Sequence, residues 1–265
     1  MEAIEEFFKY FSPLENSLSW DNVGLLIPGS SDISNILLTI DLTEEVLNEA
    51  IQKNIKFIIA YHPVIFKPLK NFNEHEVVVE CIRNNISVFC VHTALDRKIN
   101  EYLLGKILSA DIEDIIHLDK LNIGSNGIST YTEKPEIFFK DMFTYAKNNT
   151  KSIKDILLIM KKMFGTFRYS MGIRDIYDSI KNKIVVAVGS PGLEPLEKDS
   201  ILITGEMSHH NLLFYRRKNV TVILTEHSKG ERIYLPELKQ KLELYLPGSD
   251  IYISEFDKDP VNFLH

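Results

Sequence analysis

Cysteine is scarce in this chain, with two among 265 residues, Cys81 and Cys90. Two thiols do not make a disulfide framework. Cys90, inside the apolar run V-F-C-V, reads as a buried thiol. Positive charge is also short: 30 Lys and Arg stand against 37 Asp and Glu, a net charge of -7. That balance counts against a surface-wide nucleic-acid footprint, so direct nucleic-acid binding is not expected. No apolar run is long enough to span a bilayer. The opening M-E-A-I-E-E-F-F-K-Y is acidic, with neither a basic leader nor a signal-peptide core. A reducing, cytoplasmic setting without membrane contact is the expectation. The phosphate-binding patterns G-x-G-x-x-G and Walker A are missing, and so is the G-x-S-x-G nucleophile elbow. Low-complexity tracts and short repeats are missing too.

What is present is an ordinary globular balance, 45% hydrophobic and 25% charged, in a chain long enough for one large domain or two modest ones. Residues 2–11 carry Ile4, Phe7, Phe8 and Phe11 at helical spacing, stopped by Ser12-Pro13. Asp21, Asn22 and Gly24 read as a turn before a short strand at 25–27, and Trp20 reads as a core anchor. Strand and helix then alternate: strand 33–41, a helix capped by Thr43, strand 56–60, helix 76–84, strand 86–91, helix 100–109. This rhythm means βαβ units and a mostly parallel sheet. Between 112 and 200 the pattern changes to shorter strand-like pieces at 127–132, 164–170 and 184–188, with a helix at 136–148. After 200 the rhythm returns, with strands 201–204, 220–225 and 250–255 and a helix at 231–245. The expected architecture is an α/β domain from 1–115 plus 200–265, with a smaller α+β unit at 116–199.

Chemistry gathers at strand ends, where open parallel sheets hold their ligands. His62 ends one strand, Asp96 follows another with His92 nearby, and His227 with Glu231 follows a third. Two imidazoles and two carboxylates form a mixed N/O set suited to Zn, Fe, Mn or Co. Each residue alone also has a structural reading. His62 before Pro63 closes a turn, Asp96 caps a helix beginning near Arg97, and Glu231 suits the dipole of a first helical turn. His209 and His210, after Glu206, are either substrate-facing or simply polar residues in the first turn of a helix.

Six motifs in order resemble one family. W-D-N-V-G-L-L (20–26), Y-H-P-V-I-F-K-P-L-K (61–70), H-T-A-L-D (92–96), G-E-M-S-H-H (205–210), E-H-S-K-G-E-R (226–232) and S-E-F-D-K-D-P (254–260) resemble the Nif-three-like family, the GTP cyclohydrolase 1 type 2 homologues. The resemblance implies a two-domain α/β fold and one or two divalent metal ions in a cleft. It also implies a toroidal homohexamer and a hydrolase-like site of unspecified substrate. The family's ligand positions fall on His62, Asp96, His227 and Glu231, with Glu231 a candidate bridge. His92 and His210 are candidates for moving protons; Tyr61, Glu206 and His209 are candidates for supporting or substrate-facing roles. Bacterial members carry His-His where this chain has Tyr61-His62, so the Tyr-His-Pro form resembles the eukaryotic branch. A neutral phenol is a poor ligand, since its pKa is about 10. The rival expectation, suited by the family's naming after a transcriptional adaptor, is a regulatory or protein-interaction factor whose metal centre is structural or vestigial.

Overall fold

A computed structural model describes residues 1–73, 75–108, 137–140, 142–147, 151–172, 175–176 and 183–262. The fold is α/β with two mixed sheets, and the chain divides into two units, Met1–Asp96 with Glu231–Asn262, and Arg97–Gly230.

The first unit opens on α1 (Glu2–Phe11), whose Ile4, Phe7 and Phe8 are buried. Its sheet contains β1 (Gly24–Ile27), β2 (Asn35–Thr39), β3 (Phe57–Ala60), β4 (Ser87–Cys90) and β11 (Asp250–Ile253), in the order β1-β4-β3-β2-β11. Four of the five strands run parallel; β1 pairs antiparallel with β4. The central strands F-I-I-A and S-V-F-C are buried at every position, as expected where a parallel sheet is covered on both faces. Helix α2 (Glu44–Gln52) starts where the Thr43 side chain accepts from the Val46 N–H. Its Val46, Leu47 and Ala50 join Val78 and Cys81 of α3 (Glu76–Arg83) over Leu37, Ile58 and Val88. On α1, Phe8 stacks on Phe89 of β4, with ring centroids 5.4 Å apart.

Helix α4 (His92–Leu108) begins two residues after β4. The expected start at 100 is therefore eight residues late, and Asp96 lies inside the helix rather than capping it. The cap comes from elsewhere: the Asp21 side chain accepts from the Thr93 N–H at 3.0 Å. A local signal was missing because the capping residue is far away in sequence. Trp20, expected in the core, is 55% exposed, because its neighbour Asp21 is the residue that points inward.

Among the described residues, the second unit has a six-stranded sheet in the order β5-β6-β8-β9-β10-β7. These strands are β5 (Ile137–Lys140), β6 (Phe143–Lys147), β7 (Arg168–Ser170), β8 (Lys183–Ala187), β9 (Ile201–Thr204) and β10 (Thr221–Leu224). β8, β9 and β10 are parallel and the others antiparallel. Where a helix was expected at 136–148, β5 and β6 form an antiparallel pair. Phe143 and Tyr145 alternate onto the core beside Val185, Leu202 and Val222, a period of two that outweighs the helical reading. Among the described residues, the helix of this region is α5 (Ile153–Phe164), with a reciprocal Ser152/Asp155 capping box. It takes up the start of the expected 164–170 strand. The expected strand at 127–132 lies outside the described residues.

After α6 (His209–Arg217) and β10 come α7 (His227–Arg232) and α8 (Leu235–Tyr245), two helices where one was expected over 231–245. Pro236 sits in the first turn of α8, where a missing N–H costs nothing. β9 and β10 pair with β8, not with the first sheet, so the boundary expected at 199/200 differs from the observed sheet membership. A βαβ rhythm says that strands are parallel, not which sheet they join.

Candidate functional site

The strand ends of the first unit carry a linked set of charged side chains. Just past β2, Asp41 accepts from the Nδ1 of His62 at 2.8 Å. His62, just past β3, turns its Nε2 to Glu231 Oε2 at 3.4 Å. Asp41 is held in turn. Arg232 reaches it at 3.5 Å and pairs with the buried Asp257 at 2.8 Å. Asp257 also accepts from the Ile40 N–H at 2.8 Å and the Asp41 N–H at 3.3 Å. The C-terminal D-K-D segment thus locks the end of β2, and through Asp41 it fixes the ring of His62.

Deeper in, Tyr61, Asp96 and Glu231 are all buried. The Tyr61 hydroxyl donates to Asp96 Oδ1. Burial, then the charges of Asp96 and Glu231, hold the Tyr61 phenol well above its ordinary pKa, so it stays protonated. Burial also drives the Asp96 carboxyl upward; the Tyr61 hydrogen bond opposes this, and the nearby Glu231 and Asp21 carboxylates add to it. His62 shows the opposite balance. Burial disfavours its charge, but hydrogen bonds to Asp41 and Glu231 raise its pKa to about 10. Without a metal it is an imidazolium between two carboxylates.

His92 starts α4 with its Nδ1 2.7 Å from Asp21 Oδ1, and its ring lies 5.4 Å from that of His62. Its φ of 20° lets the chain pass from strand to helix without a loop. Helix α7 places His227 one turn before Glu231, with a ligand atom of each within 4.8 Å of the other. The Nδ1 of His227 meets Glu206 Oε1 at 3.0 Å. Just before the helix, Glu226 has a φ of 71°. Arg168 grips its carboxylate through Nε at 2.7 Å and Nη2 at 3.0 Å.

The first unit therefore brings His62, Asp96, Glu231, Tyr61 and His92 into one neighbourhood. His209 and His210 are exposed at the start of α6, their rings 5.7 Å from each other. Three participants escaped the sequence reading. Asp41 ends a strand, so the reasoning used for His62 applied to it as well. Asp21 belongs to a turn and to the W-D-N-V-G-L-L motif, and Asp257 to the S-E-F-D-K-D-P motif, and neither position marks its distant partners.

The Duf34/NIF3 (NGG1p interacting factor 3) family profile matches residues 1–260. The chain belongs to the Duf34/NIF3 family. Similar proteins include NIF3-like protein 1 of Drosophila melanogaster, 30% identical over 98% of this chain and 88% of its own length. NGG1-interacting factor 3 of Saccharomyces cerevisiae is 29% identical over 98% of this chain and 95% of its own. Among solved structures, reduced HcgD from Methanocaldococcus jannaschii has a TM-score of 0.74 at 19% identity, covering 96% of this chain and 97% of that one. Staphylococcus aureus protein SA1388 has a TM-score of 0.73 at 22% identity, covering 98% of each chain. At these identities the structural likeness speaks for the Duf34/NIF3 fold alone.

Proposed function

We propose that this Duf34/NIF3 protein binds one or two divalent transition-metal ions through His62, Asp96, His227 and Glu231 and uses them in a hydrolase-like reaction. The observation that carries the reading is the crowding of buried acids. Asp96 is pushed toward its neutral form by burial and by the carboxylates of Glu231 and Asp21. A cation relieves that repulsion, and imidazole with carboxylate is a donor set for Zn, Fe, Mn or Co. His227, one helical turn before Glu231, would complete the set.

When bound, the ion would polarise a substrate oxygen and make water a better nucleophile at neutral pH. The chain's own groups would do the rest. Asp41 fixes the His62 ring through Nδ1 and leaves Nε2 facing Glu231. Tyr61 keeps its proton and orients Asp96 by donating to it. Asp21 holds His92 through Nδ1, so that the other ring nitrogen is placed to take or give a proton. His62 must lose its proton to ligate, so loading should release protons into the buffer.

The test is metal analysis of protein purified without a chelator or affinity tag, followed by calorimetric titration in buffers of different ionisation enthalpy. Tight binding with proton release supports the reading. No binding of Zn, Fe, Mn or Co at micromolar protein removes it. We also propose a homo-oligomer, with a hexamer favoured; a monomer in light scattering would overturn that.

A second reading has one specific support: the yeast relative is named as a factor that interacts with NGG1. On this reading the chain binds a protein partner and the metal centre is structural. Loss of fold on chelation, with no hydrolysis of any ester or phosphoester tried, would favour it.

A further inference from the structure

Two large aromatic side chains of the first unit stand out of the core beside the His92 ring. Trp20 is 55% exposed and Phe66 is 50% exposed. Their centroids lie 5.8 Å apart with ring planes tilted by 55°. The His92 ring is 6.0 Å from Trp20 and 6.3 Å from Phe66. Exposed aromatics cost hydrophobic free energy, and a rigid cluster of them marks a binding surface.

The backbone beneath both rings is tied down. Asp21 is fastened to His92 Nδ1 and to the Thr93 N–H. Asn22 Nδ2 donates to the Ile65 carbonyl at 2.5 Å, joining the segment after Trp20 to the segment before Phe66. Val64 and Ile65 pack on the core below. The two rings are thus presented from a braced frame.

Phe66 is also a wall of a cleft of about 450 Å³, lined further by Lys67, Lys70, Asn71 and His75. The cleft pairs an aromatic wall with ammonium groups, in a chain whose net charge is -7. Local positive charge against that background favours an anionic group there.

We infer that Trp20 and Phe66 form an aromatic corner for a planar aromatic ring, stacked on Phe66 and met at an angle by Trp20, whose anionic arm lies against Lys67 and Lys70. The ligand class is an aromatic or heteroaromatic phosphate. The ring on the platform meets His92, whose own ring neighbours His62, so the platform would present such a ligand to the acid–imidazole cluster. The inference rests on the metal-dependent reading for what happens to the ligand, not for its binding.

Trp20 is the chain's single tryptophan, so intrinsic tryptophan emission reports on this position alone. The probes are AMP and phenyl phosphate, against adenosine, ribose 5-phosphate and inorganic phosphate, titrated into the full chain with and without Zn. The expected result is saturable quenching by AMP or phenyl phosphate, tighter than by any of the three partial probes. Phe66→Ala should weaken binding about 5-fold or more, the scale of one lost stacking contact. The Lys67→Glu/Lys70→Glu double variant should weaken the phosphates and spare adenosine. Metal stoichiometry is measured on the same samples, and Phe66→Ala should leave it unchanged.

Absence of quenching up to about 10 mM, an affinity of only ~3 kcal/mol, overturns the inference. So does quenching that neither variant alters. A tryptophan emission that shifts with protein concentration and not with probe would assign the platform to contacts between copies, and also overturns it. Bound metal without quenching sinks the platform alone; quenching without bound metal sinks the metal reading alone.

Discussion

Two pairs of histidines in this molecule follow strand ends, and they differ in what meets them. His62 and His92, in the first unit, each seat Nδ1 on a carboxylate, Asp41 at 2.8 Å and Asp21 at 2.7 Å. His209 and His210, in the second unit, are adjacent and exposed, and their rings contact each other. Both pairs sit where an α/β sheet presents residues for chemistry. The difference teaches that two strand ends can hold their rings in unlike ways. In the first unit a residue from distant sequence fixes one nitrogen of each ring and leaves the other aimed, the arrangement that suits a ring for ligation or proton transfer.

The largest effect should come from removing one of the proposed ligands on the seated side. His62→Ala and Glu231→Ala are expected to lower metal affinity by more than the about 10–100-fold that supporting residues cost. His209→Ala with His210→Ala should leave it unchanged. Equilibrium dialysis with Zn and Mn measures both, and equal losses on the two sides would erase the contrast.

Next in size is the support beneath His62. Asp41→Asn keeps the shape of the side chain and removes its charge. It should cost about 10–100-fold in metal affinity, as loss of an orienting carboxylate usually does. Without Asp41, one of the two carboxylates that raise the His62 pKa is gone, so the affinity should depend less steeply on pH. A variant that binds metal like the wild type would mean that the His62 ring does not depend on the Asp41 charge for its position.

How far this was legible in the sequence depends on whether the partner was local. Thr43 capping α2, the buried strands and the return of α/β rhythm after 200 are short-range signals, and they describe the fold class well. The Ser152/Asp155 capping box and the spacing of Ile153, Ile156, Leu157 and Met160 were equally local and announce α5; the region was instead divided among short strands and a neighbouring helix. Asp21 meets His92 and Thr93 from 71 and 72 positions away, and Asp257 meets Ile40 from 217 away. No periodicity carries that information. Trp20 was misplaced for the same reason, since the contacts that turn Asp21 inward were invisible. Sheet membership of β9 and β10 fails similarly, because either sheet can extend in parallel.

Buried carboxylates offer a second contrast, smaller in effect. Asp96 is crowded by acids, whereas the buried Glu49 is met by donors: Lys53 Nζ at 2.7 Å, the Ser254 hydroxyl and the Glu255 N–H. Burial raises the Glu49 pKa, and these donors outweigh it, so the net shift is downward from 4.5. The sign follows from linkage. A folded-state pKa below the unfolded one stabilises the fold above the unfolded value, and the benefit disappears as pH falls through the folded one. Glu49→Gln should therefore destabilise by about 1–3 kcal/mol at neutral pH. The gap to wild type should shrink as the pH falls below 4.5. Urea melts at several pH values measure it; a gap that does not depend on pH would mean that the amide's shape, not its missing charge, is responsible. Metal binding should not change, since a carboxylate already satisfied by donors has no need of a cation.

The finest test turns one side of the histidine comparison into the other. Tyr61→His would place two adjacent histidines beside Asp96, the dipeptide found at 209–210, but at a buried position. Tyr61 now donates to Asp96 and adds no bond to a metal, because burial and the neighbouring carboxylates keep its proton on. An imidazole there can either donate to Asp96 in the same way or offer a nitrogen to a second ion. If the buried acids are what call for a cation, the second outcome wins. The weaker of two metal sites should then tighten by up to about 10-fold, or stoichiometry should rise from one ion to two, the scale of one added interaction of ~1.4 kcal/mol. Tyr61→Phe is the control: it removes the donated hydrogen bond without supplying a ligand, and should weaken binding or leave it as it is. If Tyr61→His and Tyr61→Phe behave alike, the phenol is a packing residue that also steadies Asp96. The second ion's ligands would then have to be sought among the other carboxylates of the cluster.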